Sequence, residues 1–123
     1  MSERVSHLGE RPPFTALDGS SIRELAGPGW NAVRNQSLAE ARIQVGLETA
    51  EHYHRKTEEL YYFLSGSAEL RVDDELIEVH AGDCVTIRPG VVHKLWNTGT
   101  EELVLLCCCA PAYSDEDTEL TGG

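Results

Sequence analysis

The chain has 123 residues, enough for one compact domain and little more. It carries 21 acidic against 10 basic residues, a formal net charge of −11 with no offsetting basic cluster, so neither nucleic acid nor an anionic membrane surface is an expected partner. The longest apolar run, residues 103–109, is too short to span a bilayer, and the charged start MSERVSHLGERPP lacks the apolar stretch of a secretory signal, so the cytoplasm is the expected location. Of the four cysteines, Cys107, Cys108 and Cys109 are adjacent and Cys84 stands alone, which is not a disulfide framework. They read as small buried hydrophobes, with one lining a cavity and open to oxidation as the lesser alternative.

Residues 1–13 mix Gly, Pro and charge without a period and read as an extended arm. Residues 14–17 predict a short edge segment, ended by the turn Asp18-Gly19-Ser20. A strand is expected over 21–26, before the break Gly27-Pro28-Gly29, and Trp30 reads as a packing anchor. Residues 37–45 favour helix by propensity, yet Ala39, Ala41, Ile43 and Val45 alternate with Glu40, Arg42 and Gln44. Alternation leading into Gly46 predicts a strand with the odd-numbered side inward.

The stretch 46–66 reads GLETAEHYHRKTEELYYFLSG. On a strand successive side chains alternate, so His52 and His54 share a face and two imidazoles can converge on one ion. After the turn Arg55-Lys56-Thr57, a second strand over 59–64 puts Glu59, Tyr61 and Phe63 on one side and Leu60, Tyr62 and Leu64 on the other. A carboxylate facing two imidazoles adds a hard oxygen to two nitrogens, which suits a divalent metal.

A hairpin follows, in which Ala68, Leu70 and Val72 alternate with Glu69 and Arg71, the chain turns at Asp73-Asp74-Glu75, and Ile77 and Val79 return. His80 reads as a surface histidine. Val85 and Ile87 alternate with Cys84 and Thr86, a Pro89-Gly90 turn intervenes, and the next strand carries a third histidine, His93, in phase with Leu95 and Asn97. Residues 103–109 are apolar on both faces, which predicts burial on both sides or a subunit contact, and Pro111 stops them. The acidic tail from Ser114 onward is expected to fray or to form a short terminal helix. About eight short strands with glycine-rich turns and no long amphipathic helix read as an all-β sandwich or small barrel.

Two spaced patterns give this class a family. Gly46, His52, His54, Glu59 and Gly66 match G(x)5HxH(x)3–4E(x)6G without a gap, and Gly82, Gly90, His93 and Asn97 match G(x)5PxG(x)2H(x)3N, with Arg88 in place of the proline. In these residues the chain resembles the cupin family over roughly 37–111. Pro89 still fixes one φ beside Gly90, so the departure bears on turn rigidity and not on the ligands. The resemblance implies a double-stranded β-helix or jelly-roll β-barrel. It divides the chain into an arm with edge strands of the same domain over 1–36, the barrel over 37–111 and the acidic tail over 112–123. It also implies one divalent transition metal per chain (Mn, Fe, Zn, Ni or Cu) on His52, His54, Glu59 and His93, a small-molecule partner, and a homodimer to which the arm crosses.

Three neutral imidazoles and one carboxylate leave a divalent ion with a residual charge of about +1 and two open positions if it is octahedral, which draws anionic or enolisable oxygens. Tyr61, inward beside Glu59, is the candidate proton donor, although a buried tyrosine bonded for structure fits as well. Phe63, Ile43, Val45 and Leu95 are expected to make the rest of the wall apolar. Such a wall favours a metal-dependent oxygenase or oxidoreductase acting on a small apolar or phenolic molecule. The alternatives are a metal-dependent isomerase or epimerase of a sugar or keto compound, like the mannose-6-phosphate isomerases among cupins, and a non-catalytic binding barrel.

Overall fold

Alternating apolar and polar residues form eleven strands in the computed structural model of the chain, which describes residues 4–123. They are β1 (Phe14–Thr15), β2 (Ser21–Ala26), β3 (Ser37–Ile43), β4 (His52–His54), β5 (Glu58–Ser65), β6 (Ser67–Val72), β7 (Glu75–His80), β8 (Cys84–Ile87), β9 (His93–Trp96), β10 (Leu103–Ala110) and β11 (Thr118–Leu120). The strands pair antiparallel in two sheets, a six-stranded one ordered β1-β2-β3-β10-β5-β8 and a five-stranded one ordered β11-β4-β9-β6-β7. The sole helical element among the described residues is one 3-10 turn, Leu8–Glu10, and no helix is long and apolar enough to cross a membrane.

The core lies between the sheets. Phe63, Leu70, Ile87, Leu95, Leu103 and Leu105 are its largest fully buried apolar side chains, each on the inward phase of its strand. β10 runs between β3 and β5, with Leu105 opposite Ala41 on one side and Phe63 on the other. Its inward residues Leu103, Leu105 and Cys109 are buried, whereas Val104, Leu106 and Cys108 on the outer phase are only half-buried. Within the chain the run is thus largely buried on one face and half-buried on the other.

Turn chemistry follows the sequence. Asp73 takes a left-handed φ of 52° in the two-residue turn that sets Val72 opposite Glu75. Gly66 has a φ of 90°, and a Cβ there would sit 3.2 Å from the Glu102 carbonyl oxygen, so both space and conformation demand glycine. Residues 37–43 form the expected strand, but it ends at Ile43, and Val45 is half exposed in the following turn. Val45 is thus not a wall residue, because the alternation stops before the chain reaches it.

The N-terminal segment docks on the chain's own second strand. The Ser6 hydroxyl donates to Leu25 O at 2.6 Å and Arg11 Nε to Glu24 O at 2.8 Å, while the Arg11 guanidinium lies 3.7 Å from the Trp30 ring centroid. Trp30 Nε1–H donates to Glu24 Oε1 at 2.6 Å, so the tryptophan is the anchor expected of it. The acidic tail does not fray or become helical: it pairs as β11 along β4.

Candidate metal centre

Each ligand candidate is aimed by its strand and by a hydrogen bond behind it, local for His52 and His93 and long-range for His54 and Glu59. His52 and His93 are cross-strand partners on β4 and β9, and Thr49 fastens the approach to β4 by pairing its backbone and hydroxyl with Leu95. His54 closes the same strand, and its carbonyl accepts from Gly90 N at 2.7 Å, which docks the Pro89-Gly90 turn of the second motif onto the first. Glu59 enters from the other sheet, on β5 beside β10.

The four side chains meet. One donor atom from each of His52, His54, Glu59 and His93 lies within 4.8 Å of every other, and all four residues are buried. Glu59 Oε1 is 3.2 Å from His54 Nε2 and 3.6 Å from His93 Nε2. Two donors each ~2.1 Å from one ion stand ~3.0–3.4 Å apart when they subtend ~90–110°, so these separations are close to the edges of a coordination shell.

Tautomers are set from behind. His52 Nδ1 is 2.8 Å from Ala50 O and His93 Nδ1 is 3.0 Å from Val91 O, so each ring donates to the carbonyl two residues back and turns its Nε2 inward. His93 Nε2 is buried without a hydrogen-bond partner. An orphaned imidazole nitrogen among donors of this kind fits a metal ion, since a buried lone pair otherwise costs about 1–3 kcal/mol in lost hydration.

Charge favours uptake. Burial works to raise the Glu59 pKa, but the imidazoles of His54 and His93 that face its Oε1 outweigh it and hold the carboxyl at about 2. Burial lowers His52, and the neighbouring His93 adds to the effect, which favours the neutral ligand form. Behind Glu59, the Cys109 thiol donates to Oε2 at 3.3 Å, leaving Oε1 for the imidazoles. Burial, with Glu59 adding to it, pushes the Cys107 and Cys109 thiols up, so they are protonated.

A cavity of about 70 Å³ opens beside His52, His54 and Glu59. Its wall includes Ile22, Ala39, Ala41, Ile43, Leu95 and Leu105, together with Tyr61, Cys107 and Cys109. Ile43, Leu95 and Tyr61 stand where the sequence placed them, whereas Phe63 is wholly buried in the core and does not line the cavity. Tyr61 packs edge-on to His93 at 5.9 Å between centroids, and its phenol is pushed well above its usual value by burial and then by Glu59, so the hydroxyl stays protonated. Asn97 is structural: its Nδ2 donates to Ile43 O and Glu101 O, both at 2.9 Å.

Comparison with known proteins agrees with this geometry. The Cupin domain family model matches residues 39–109. The chain is a cupin. It is 45% identical over 108 residues to an uncharacterized protein of Methanocaldococcus jannaschii, spanning 88% of this cupin and 86% of that protein. It is 27% identical over 111 residues to the polyketide synthase protein CurC of Streptomyces cyaneus, spanning 90% and 71%. Among solved structures, that of a predicted oxalate decarboxylase from Thermotoga maritima superposes with a TM-score of 0.77 at 20% identity, over 87% of this cupin and 98% of that chain.

Several residues of the cupin's site escaped sequence reasoning. Asp18, Glu24 and Tyr113 line the cavity, and Thr118 touches a ligand, all from segments outside both motifs. Nothing in the local pattern marks them, because β2 and β11 reach the site only through sheet pairing.

Proposed function

We propose that this cupin is a divalent-metal-dependent oxygenase or related oxidoreductase acting on a small, uncharged, apolar or phenolic molecule. The observation that carries the reading is the cavity beside the buried His3Glu group: His52, His54 and Glu59 of that group share its lining with apolar side chains, with no lysine or arginine among the described lining residues. The ion, when bound, supplies Lewis acidity and open coordination positions for an oxygen of the substrate. The protein's own groups do the rest. Ile22, Ile43 and Leu105 exclude water and hold a planar apolar body, while Tyr61 keeps a proton close to the imidazole of His93.

The charge of the wall argues against a sugar phosphate. Among the described lining residues, Asp18, Glu24 and Glu59 carry the formal charge besides the histidines, and none offers a phosphate a lysine or arginine to pair with. The isomerase reading therefore keeps only uncharged sugars and keto compounds. The name of the Streptomyces relative points the same way, since polyketides carry enolisable keto groups. The exposed apolar side chains Leu60, Tyr62 and Leu64 on the outer face of β5 support a homodimer as the assembled form, which light scattering measures directly.

The test is oxygen uptake by protein loaded separately with Fe, Mn, Ni or Cu and offered catechols, 1,3-diketones and uncharged keto sugars. Oxygen consumption in step with loss of a catechol or diketone is expected, with none by a His93→Ala variant. Turnover of a keto sugar without oxygen would replace this reading by an isomerase, and tight retention of a compound without product by a binding barrel.

A further inference from the structure

Two of the three histidines are oriented by main-chain carbonyls, Ala50 O for His52 and Val91 O for His93. His54 is different. Its Nδ1 is 2.9 Å from the hydroxyl oxygen of Thr118, a side chain 64 residues further along. The Thr118 hydroxyl in turn donates to Ser114 O at 2.9 Å, so its proton is committed and its oxygen accepts from His54 Nδ1–H. Tyr113, whose ring packs edge-on against His54, does not compete as a donor, because its own hydroxyl donates to Asp115 Oδ1 at 2.9 Å.

The tail that carries Thr118 is tied to the ligand strand. In the β11–β4 ladder Thr118 stands directly opposite His54, and Glu119 and Leu120 stand opposite Tyr53 and His52. Just before it, the Asp117 carboxylate accepts from Lys56 N at 2.9 Å and Thr57 N at 3.0 Å, and Asp117 O accepts from Arg55 N at 2.9 Å. These bonds fix where β11 lies along the loop that leads from His54 to Glu59.

We propose that Thr118 is a positioning residue of the metal centre: by accepting from His54 Nδ1–H it holds that ring with Nε2 toward the ion, and it makes the C-terminal strand part of the site. A ligand imidazole is oriented by what its other nitrogen meets, and loss of such a partner weakens a metal by roughly 10–100-fold. The main-chain acceptors behind His52 and His93 are untouched by side-chain substitution. Among the described residues of the tail, Thr118 is the one whose side chain hydrogen-bonds a ligand candidate.

The inference rests on the four-residue centre and is tested on the full chain with zinc alone. Thr118→Val keeps shape but removes the acceptor, while Thr118→Ser restores it. Competition against a chelator is expected to show zinc bound ~10–100-fold more weakly by Thr118→Val and within ~3-fold of wild type by Thr118→Ser. Imidazole nitrogen NMR of zinc-loaded wild type is expected to show His54 protonated at Nδ1 and metal-bound through Nε2, a readout that stands even if the valine variant fails to fold. Wild-type zinc affinity in a folded Thr118→Val protein, equal weakening by serine and valine, or His54 bound through Nδ1 would each overturn it. Failure of the underlying centre looks different, as wild-type protein that takes up no zinc.

Discussion

Replacing Glu59 by glutamine keeps the volume of a side chain that is 5% exposed and removes the only anionic donor of the four. The amide can still accept from the Cys109 thiol, so the metal-free fold is expected to persist. A ligand that binds only the folded state stabilises it by RT ln(1 + [L]/Kd), about 2.7 kcal/mol when zinc is at ~100 times Kd. With an unfolding entropy of ~2.1 cal/mol/K per residue, the whole chain has ~0.26 kcal/mol/K, so wild type gains ~10 °C in Tm. Loss of a ligand that is also the only charge weakens binding by at least ~100-fold, the upper range for losing a mere supporting partner. At the same zinc concentration the variant then keeps ~0.4 kcal/mol, or ~2 °C. Differential scanning calorimetry with and without zinc reads both shifts. A Glu59→Gln protein that still rises by ~10 °C would refute the assignment of Glu59 as a ligand.

Acid is expected to destabilise the metal-free protein through two groups whose folded pKa lies below the unfolded one. His52 is lowered from 6.5, so below that pH the unfolded chain takes up a proton that the folded chain resists, and stability falls with pH by at most ~1.4 kcal/mol per unit. Glu59, held at about 2 against an ordinary 4.5, adds a loss of the same sign between those values. Urea midpoints in chelator at pH 7.5, 6 and 5 check the first window, with His52→Gln expected to lose less than wild type; parallel curves would contradict it. Tyr61→Phe is expected to keep zinc uptake and fold but to lower turnover of whichever catechol or diketone is consumed by ~100-fold or more. Unchanged turnover would make Tyr61 a packing residue beside His93.

The fold class and most of the four-residue cluster were legible because both are largely local. Two-residue alternation marks β3, β5, β6 and β7, and an H-x-H on one strand with a glutamate on the next needs only short-range geometry to converge. His93 required the second motif, since its approach to His52 is a pairing between strands 41 residues apart. The misreadings arise where tertiary context decides. Val45 continues an alternation that the backbone abandons at the Gln44–Gly46 turn, and the acidic tail has no apolar period of its own, yet its backbone pairs with β4. Phe63 shares a face with Glu59 and Tyr61 but lies deeper along β5, where the wall has become core. Thr118 could not be found from spacing at all, because an orienting hydroxyl needs no pattern in its own segment.

The central claim is that four side chains from two segments hold one cation. Anomalous scattering from a crystal grown with zinc tests it most directly. A single peak ~2.0–2.2 Å from the Nε2 atoms of His52, His54 and His93 and from Glu59 Oε1 is the predicted result. A peak elsewhere, or none at that centre with zinc in excess, would contradict it.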